Sequence, residues 1–364
     1  MADRVVPWNN LPTDLLEAVG KRLKTKTDVS RFRAICRSWR SSVPPFDQKQ
    51  PRFPIRIMMK FPFPVNCFFL TITEDTVYHL VPPPNINSDD SASTSSTRGW
   101  VVRLREGESG EPSMLHPLSS SFHIKRLPKS VFPKLQNLLE FRVFELAKTY
   151  TMYNSDRSVS SYRVAISLSP DWPAIMVVAA GKLYHCKLGP DIEMCTMVDT
   201  SEVFEDVICF EGKFYAVCHN GTAVVVDPSL EMTLIASPIS PDHGSSVHYI
   251  KNLVESLGEI LLVERHRRYL FPVKFRVYKL NAVERKWVEM EGLDENLYKF
   301  YILFGSFSVP AGDFPGCQRS CIYFSDPYFT KCYSDYSLGR KFKIGAFNLE
   351  DGSFLPLPYN PGSC

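Results

Sequence analysis

Apolar residues recur at helical spacing only in the first part of the chain. Leu15, Val19 and Leu23 are four residues apart, which gives residues 13–24 one apolar face. Thr13 is a suitable N-cap, acidic residues occupy the first turn and basic residues the last, and the helix dipole favours both placements. The pattern therefore predicts an amphipathic helix that begins near Thr13.

A second helical pattern follows, and its apolar positions are three or four residues apart: Val29, Phe32, Cys36, Trp39 and Val43. The spacing fits one long helix and also fits two short helices broken near residues 34–36. Two consecutive prolines at 44 and 45 end the pattern. A unit of this size can hardly bury all its apolar residues alone, so either the rest of the chain or another protein should cover some of them.

The remaining chain has short apolar runs separated by turn residues. Residues 174–180 and 182–187 meet at Gly181, and residues 204–210 and 213–218 meet at Gly212. Asn220-Gly221 is a strong signal for another tight hairpin. Gly258 also precedes an apolar run, so the pattern repeats, although at irregular intervals.

Repeated small antiparallel sheets of this kind predict a β-propeller with blades of about 40–50 residues. Residues 65–364 would hold six or seven blades on that period. Two stacked β-sandwiches are the competing architecture. The fold class is therefore mainly β with a small N-terminal α module.

The first hairpin of the β body is predicted at residues 67–72 and 77–81, around a turn at 73–76. Residues 134–147 have mixed periodicity and remain undecided between helix and strand.

Composition divides the chain into a helical module at 1–45, a linker at 46–64 and a β body at 65–364. The linker is assigned because residues 44–64 are rich in proline. Residues 85–98 have low complexity and little to bury, which predicts a mobile insertion.

Bulk composition narrows the function classes. The chain has 364 residues, of which 44% are hydrophobic and 22% charged, and a formal net charge of +3. This charge is too small to indicate nucleic acid or an anionic membrane as the main partner. The sequence has neither the apolar core of a signal peptide nor a run as long as a membrane span. We therefore expect a protein of the nucleus and/or cytoplasm.

The ten cysteines are scattered, and none forms a Cys-x-x-Cys pair. Most lie in apolar runs that resemble strands, which predicts buried, reduced thiols. Cys317, Cys321 and Cys332 are the best metal candidates, but zinc takes four N or S ligands and no histidine is near them in sequence. We therefore predict no metal site.

Catalytic motifs are missing from the sequence, including the nucleophile elbow, the zinc-protease motif and the phosphate loop. The adjacent pairs His185–Cys186 and Cys218–His219 lie in predicted strands, where neighbouring side chains point to opposite faces. We predict no catalytic residue and no cofactor.

The helical module carries the most specific pattern. Residues 11–16 read Leu-Pro-x-Asp-Leu-Leu, and residues 36–40 read Cys-Arg-Ser-Trp-Arg. Together they resemble an F-box, a three-helix module that docks on a Skp-type adaptor and through it on a cullin. The resemblance implies an adaptor-binding set: Leu11, Pro12, Leu15, Leu16, Ile35 and Cys36. It also implies a core of the module: Val19, Phe32 and Trp39.

The β body carries a second resemblance, in phrases that follow one another at residues 204–207, 212–215, 253–263, 275–280, 286–289 and 321–324. These phrases resemble the KIB-type β-propeller of plant F-box proteins. The two resemblances together imply the substrate-recognition subunit of an SCF ubiquitin ligase, without chemistry of its own. The alternatives are a binding or scaffold protein whose helices merely cap the body, and a propeller hydrolase.

Residues 265–268, Arg-His-Arg-Arg, form the densest basic run of the chain. We predict a solvated loop between strands. Arg265, Arg267 and Arg268 would be well placed there to dock an acidic segment of a target protein, or to act as a weak nuclear-import signal.

Overall fold

The computed structural model describes these parts of the chain: residues 11–20, 26–45, 53–61, 66–81, 100–106, 112–118, 142–154, 162–169, 171–188, 194–198, 201–239, 249–266, 274–290, 299–302, 306–309, 320–326 and 343–357. The chain forms two compact units, Met1–Arg52 and Phe53–Cys364. The first is the helical unit and the second is the β body.

The helical unit contains three helices among its described residues: α1 Thr13–Gly20, α2 Lys26–Ile35 and α3 Arg37–Ser42. Cys36 has an extended backbone, with φ −159° and ψ 177°, so it separates α2 from α3. Of the two sequence alternatives, the pair of short helices is therefore right. The longest described helix has ten residues, and none is long and apolar enough to cross a membrane.

The core of the helical unit is formed by five buried residues: Leu16, Val29, Phe32, Trp39 and Val43. The rings of Phe32 and Trp39 lie 4.4 Å apart between centroids. At Gly20, a Cβ atom would lie only 2.2 Å from Cγ2 of Val43. Glycine lowers helix propensity, but here it permits the close approach of α1 to the end of α3.

The β body contains four sheets in the described residues. The first sheet has nine strands: β1 Ile55–Phe61, β2 Asn66–Val81, β3 Trp100–Glu106, β4 Pro112–Leu115, β5 Arg142–Asn154, β6 Arg163–Ser167, β7 Ala174–Ala179, β8 Lys182–Lys187 and β9 Met194–Met197. Its order is β4-β3-β2-β1-β9-β8-β7-β6, with β5 paired to β2 and a parallel contact between β1 and β9. The segment β6 to β9 is a four-stranded antiparallel meander within it.

Two further sheets are four-stranded meanders in chain order. The second sheet comprises β10 Phe204–Phe210, β11 Lys213–Cys218, β12 Ala223–Val226 and β13 Met232–Ala236. The third comprises β14 Tyr249–Ser256, β15 Glu259–His266, β16 Phe275–Asn281 and β17 Lys286–Glu289. The fourth, in the order β19-β18-β20-β21-β22, comprises β18 Lys299–Ile302, β19 Phe307–Val309, β20 Cys321–Asp326, β21 Lys343–Asn348 and β22 Phe354–Leu357.

The repeated glycines of the sequence occupy equivalent hairpin turns. Gly181, Gly212 and Gly258 have φ of +75°, +75° and +80°, and the residue before each has φ of 48° or 49°. Two successive positive φ values define a type I′ turn, in which glycine is strongly favoured at the second position. The predicted hairpins at these glycines and at Asn220-Gly221 are confirmed.

The predicted hairpin around residues 73–76 is wrong, because β2 runs without interruption from Asn66 to Val81. The supposed turn residues are paired on both edges of the strand. Asp75 lies opposite Arg105 of β3 and opposite Thr149 of β5. The segment also lacks the glycine, asparagine or proline that a tight turn usually needs. The undecided segment 134–147 continues into β5, which begins at Arg142, while its first residues lie outside the described part.

The predicted linker at 46–64 is wrong in part, because β1 occupies Ile55–Phe61 and pairs with β2 and β9. Ile57 and Met59 are buried in the core of the first sheet. The prolines around β1 suggested a linker, but the alternating apolar residues of the strand match a half-buried position instead. The proposed insertion at 85–98 lies outside the described residues.

The prediction of reduced cysteines is wrong for one pair, because Cys186 and Cys195 form a disulfide. The pair lies next to His185–Thr196 in the antiparallel register of β8 and β9. Their Cα atoms are 4.3 Å apart, the separation typical of directly opposed residues in a non-hydrogen-bonded pair. The two cysteines are nine residues apart in sequence, so their spacing did not indicate this contact. Five further cysteines of the described residues are free thiols.

Apolar side chains pack between neighbouring sheets and form the core of the β body. Three buried clusters each contain residues of two consecutive sheets. Met176 and Phe214 belong to the first cluster, Val217 and Leu262 to the second, and Val263 and Phe324 to the third. Trp287 of the third sheet also donates its indole N–H to the carbonyl oxygen of Gly221, at 2.7 Å. Consecutive sheets are therefore joined by buried contacts as well as by the chain.

A buried carboxylate adds polar links at two of these interfaces. Asp206 of β10 is 5% exposed, and its Oδ2 accepts a hydrogen bond of 2.8 Å from the backbone N–H of Leu253 in β14. Its Oδ1 accepts from Val207 N–H at 2.9 Å and lies 3.7 Å from Nε of Arg163 in β6. Burial raises the pKa of Asp206 to about 6, against the opposing effect of Arg163.

We expect protonation of Asp206 to stabilise the fold as the pH falls. Because the folded pKa is above the usual value near 3.9, the folded chain binds this proton more tightly than the unfolded chain. Between about pH 8 and pH 5, the free energy of unfolding of the native protein should gain about 1 kcal/mol relative to Asp206→Asn. Urea unfolding of both proteins across this range measures the difference. A difference that does not change with pH would contradict the prediction.

Candidate functional site

The helical unit exposes large apolar side chains outside its core. Leu15 is 51% exposed, Val19 44% and Ile35 56%. Leu15 and Val19 are one helical turn apart and so lie on the same face of α1. Pro12, just before α1, is exposed as well. An apolar surface of this density on so small a unit is typical of a protein-binding site.

Leu16 and Val19 lie in the opposite environments from those that the F-box resemblance implied. Leu16, expected to face the adaptor, is completely buried in the core of the helical unit, whereas Val19, expected in the core, is exposed. Leu15 and Leu16 point about 100° apart around the helix axis, so only one of them can face α2 and α3. Leu16 takes this place and packs with Phe32 and Trp39.

The other implied residues divide between surface and core. Pro12, Leu15 and Ile35 are exposed, and Leu11 and Cys36 are partly buried against the core. Phe32 and Trp39 lie inside the core. Of the residues that the resemblance implied, Pro12, Leu15, Val19 and Ile35 are therefore the exposed ones, and we call these four residues together the α1 surface.

The β body has a pocket of about 460 Å³ between its second and third sheets. Its lining includes Phe210, Leu234, Ile260, Lys279, Leu280 and Arg285. Leu234 is 42% exposed, and the ammonium group of Lys279 lies 2.7 Å from a carboxylate oxygen of Glu259 at the pocket. The pocket combines an apolar floor with charged groups at its edge, as binding pockets commonly do.

The basic run at 265–268 does not begin in a loop, because β15 continues to His266. The guanidinium carbon of Arg265 lies 5.6 Å from the centre of the Phe324 ring, and the side chain is only partly exposed. Arg267 and Arg268 lie outside the described residues. Arg265 therefore packs within the body, and the docking patch remains a prediction for the other two arginines.

The described histidines and cysteines are poorly placed for chemistry. Burial raises the pKa of Cys218 to about 12, so the thiol stays protonated and a weak nucleophile, and His219 beside it is exposed. Cys186 is consumed in the disulfide, and burial lowers the pKa of His185. Among the described residues no three His, Cys, Asp or Glu side chains converge on a metal position. Of the predicted metal candidates, Cys317 and Cys332 lie outside them.

Comparison with known proteins identifies the family of the β body. Residues 69–348 match the KIB1-4 beta-propeller family, and this match covers most of the chain. The chain belongs to this family, so the sheets of the β body are those of a β-propeller, and the competing sandwich architecture is excluded. The number of blades stays a prediction.

Relatives from Arabidopsis thaliana align with a larger share of the chain than the family match does. The F-box protein SKIP23 is 26% identical, with 96% of this chain and 90% of the relative aligned. The F-box protein At2g17036 is 27% identical over 81% of this chain and 77% of the relative. The F-box protein At2g26160 is 25% identical over 88% and 95%. The likeness to plant F-box proteins is thus confirmed by relatives that align with 81% to 96% of this chain.

The different places of Leu15 and Leu16 predict different effects of truncation. Leu16→Ala should destabilise the helical unit by about 2–5 kcal/mol, because it leaves a cavity beside Phe32 and Trp39. Leu15→Ala should change stability by about 0.5 kcal/mol at most, because the side chain is half exposed. Hydrogen–deuterium exchange of peptides from residues 11–45 measures both effects, and peptides of the β body serve as the internal control. Equal protection in the two variants would contradict this placement.

Proposed function

We propose that this chain is the substrate-recognition subunit of an SCF ubiquitin ligase, which binds a Skp-type adaptor through its helical unit. The main support is the α1 surface, where Leu15, Val19 and Ile35 leave apolar area uncovered. SKIP23, which aligns with 96% of this chain and so with most of this unit, is an F-box protein. An apolar surface of this kind supplies the anchors that a partner protein buries.

The proposal divides the work between the two units. The adaptor links the helical unit to a cullin, while the propeller holds a target protein. The chain contributes no catalytic residue or cofactor, and ubiquitin transfer belongs to the associated conjugating enzyme. Holding target and enzyme together contributes several kcal/mol to a bimolecular step through proximity alone. The complex would act in the nucleus and/or the cytoplasm.

The rival is a propeller-based binding or scaffold protein that assembles no ligase. In that case the helices would merely cap the body, and the α1 surface would have no adaptor to bind. A propeller hydrolase is less well supported, because burial keeps the Cys218 thiol protonated and no three His, Cys, Asp or Glu side chains of the described residues converge on a metal position.

Adaptor binding should depend on the exposed residues and not on their neighbours on the opposite face. In the full-length chain, Leu15→Ala combined with Ile35→Ala should weaken binding to a purified Skp-type adaptor by about 30-fold or more. Glu17→Ala is the matched control, because Glu17 is exposed on α1 but points away from Leu15. Isothermal titration calorimetry measures the affinities, and thermal unfolding checks that the variants remain folded.

Three results would separate the proposals. No binding of the native chain to any Skp-type adaptor would end the ligase proposal and favour the scaffold. Equal loss in the control and the double variant would remove the α1 surface from the interface. Selective loss in the double variant supports both the surface and the adaptor.

The target-docking patch has its own test. Arg267→Glu combined with Arg268→Glu should change the set of proteins that proximity labelling recovers, because reversed charge repels an acidic segment. Arg265 is left unchanged, since it packs over Phe324. The α1 double variant serves as the control for partners that depend on the adaptor. An unchanged set of labelled proteins would end the docking-patch hypothesis.

A further inference from the structure

The disulfide of the first sheet lies at a junction between two groups of strands. In the order of the sheet, β1 to β5 form one group, β6 to β8 form the other, and β9 lies between them. It pairs with β8 along one edge and, in parallel, with β1 along the other. Among the described strands of this sheet, no other pairing joins the two groups. Backbone pairing across the first sheet therefore depends on β9.

The two halves of β9 are held by different strands. Thr196 and Met197, its last two residues, pair with β8. Met194 and Cys195, its first two residues, pair with β1. The register of β8 and β9 includes no pair at Cys195, and the disulfide to Cys186 of β8 continues the link at this position. The bond therefore ties to β8 the part of β9 that holds β1.

Cys195 is also the residue that fixes β9 in the core. It is 3% exposed and is the only buried residue of the strand, whereas Met194 and Met197 are 52% and 42% exposed. Both bonded cysteines belong to the same apolar cluster as Met59 of β1. A strand of four residues with a single buried side chain has few contacts to resist local opening once the bond is broken.

We propose that the Cys186–Cys195 disulfide is a reversible redox latch. In the oxidised state it holds β9 and β1 in the first sheet, and a dithiol reductant releases them by opening the bond. The expected place of this protein is the nucleus and/or the cytoplasm, where lasting disulfides are rare and those that form are usually transient. The latch goes beyond the ligase proposal and does not depend on an adaptor.

The reaction is thiol–disulfide exchange, which transfers two electrons and two protons to the cysteine pair. A thiolate of the reductant attacks one sulfur, forms a mixed disulfide and releases the other cysteine as a thiolate, which takes up a proton. The second thiol of the reductant then displaces the first cysteine, so Cys186 and Cys195 become thiols and the reductant becomes a disulfide. A disulfide oxidant reverses both steps. Because both cysteines are buried, β9 must separate locally before attack, and the exchange should be slow in the folded protein.

The first measurement establishes the redox state of the pair. Native full-length protein is purified without reductant, unfolded and alkylated, and its peptides are analysed by mass spectrometry. We expect Cys186 and Cys195 in one disulfide-linked peptide, both of them alkylated after incubation of the folded protein with dithiothreitol, and the linked peptide restored by oxidised glutathione. A pair that stays as thiols even with oxidised glutathione would overturn the proposal.

The second measurement compares hydrogen–deuterium exchange of the oxidised and the reduced native protein. Amides of β1 and β9 should exchange about ten-fold faster or more after reduction, because the bond no longer restrains the opening of β9. Peptides of β14 and β15 in the third sheet should not change. Equal exchange of β1 and β9 in the two states would overturn the latch, even with the disulfide itself established.

Variants assign the response to this cysteine pair. Cys186→Ala combined with Cys195→Ala should exchange like the reduced native protein and should be unaffected by dithiothreitol. Cys67→Ala is the matched control and should respond as the native protein does, because Cys67 is an exposed free thiol of β2 in the same sheet. A response to dithiothreitol that persists in the double variant would assign it to another cysteine and overturn the proposal. If the double variant does not fold, the reduced native protein still tests the latch without any substitution.

Discussion

The buried carboxylate of Asp206 is the constraint on which the arrangement of the propeller sheets depends. It belongs to the second sheet, accepts a hydrogen bond from Leu253 of the third and faces Arg163 of the first. Beside it, Glu205 accepts a hydrogen bond of 2.8 Å from the backbone N–H of Lys251. Apolar packing between sheets has no direction of its own, so these bonds set the register in which one sheet meets the next.

The third sheet contains a buried ion pair. Lys251 and Glu264 lie 3.1 Å apart, both almost completely buried, and the hydroxyl of Tyr278 donates to Glu264 at 3.1 Å. Such a pair holds its geometry because each charge has a close partner.

The helical unit leaves several of its large apolar side chains exposed. Its five core residues take up one side of each short helix, and the remaining apolar side chains stay exposed. A unit of this size has too little volume to bury more. The exposed leucine, valine and isoleucine are the apolar area on which the proposed adaptor contact rests.

Local signals were readable without the structure. The hairpins at Gly181, Gly212 and Gly258 followed from their glycines, because a type I′ turn imposes positive φ on consecutive residues. The start of α1 and the end of α3 followed from capping, charge and proline. The Cys-Arg-Ser-Trp-Arg segment and the ordered propeller phrases indicated the family.

Features that depend on contacts between residues distant in sequence were not predicted correctly. The continuous β2, the strand β1 in the proline-rich segment and the Cys186–Cys195 bond each arise from contacts with residues far away or across a turn.

The sequence by itself determined the class of the protein, because turns, caps and helical periodicity are written in neighbouring residues. Only the tertiary structure decided which side chains are inside. Leu15 and Leu16 are the same residue type at adjacent positions, and their difference comes solely from where α2 and α3 pack. Burial depends on the residues that surround a side chain in the folded protein, so the α1 surface could be identified only from the structure.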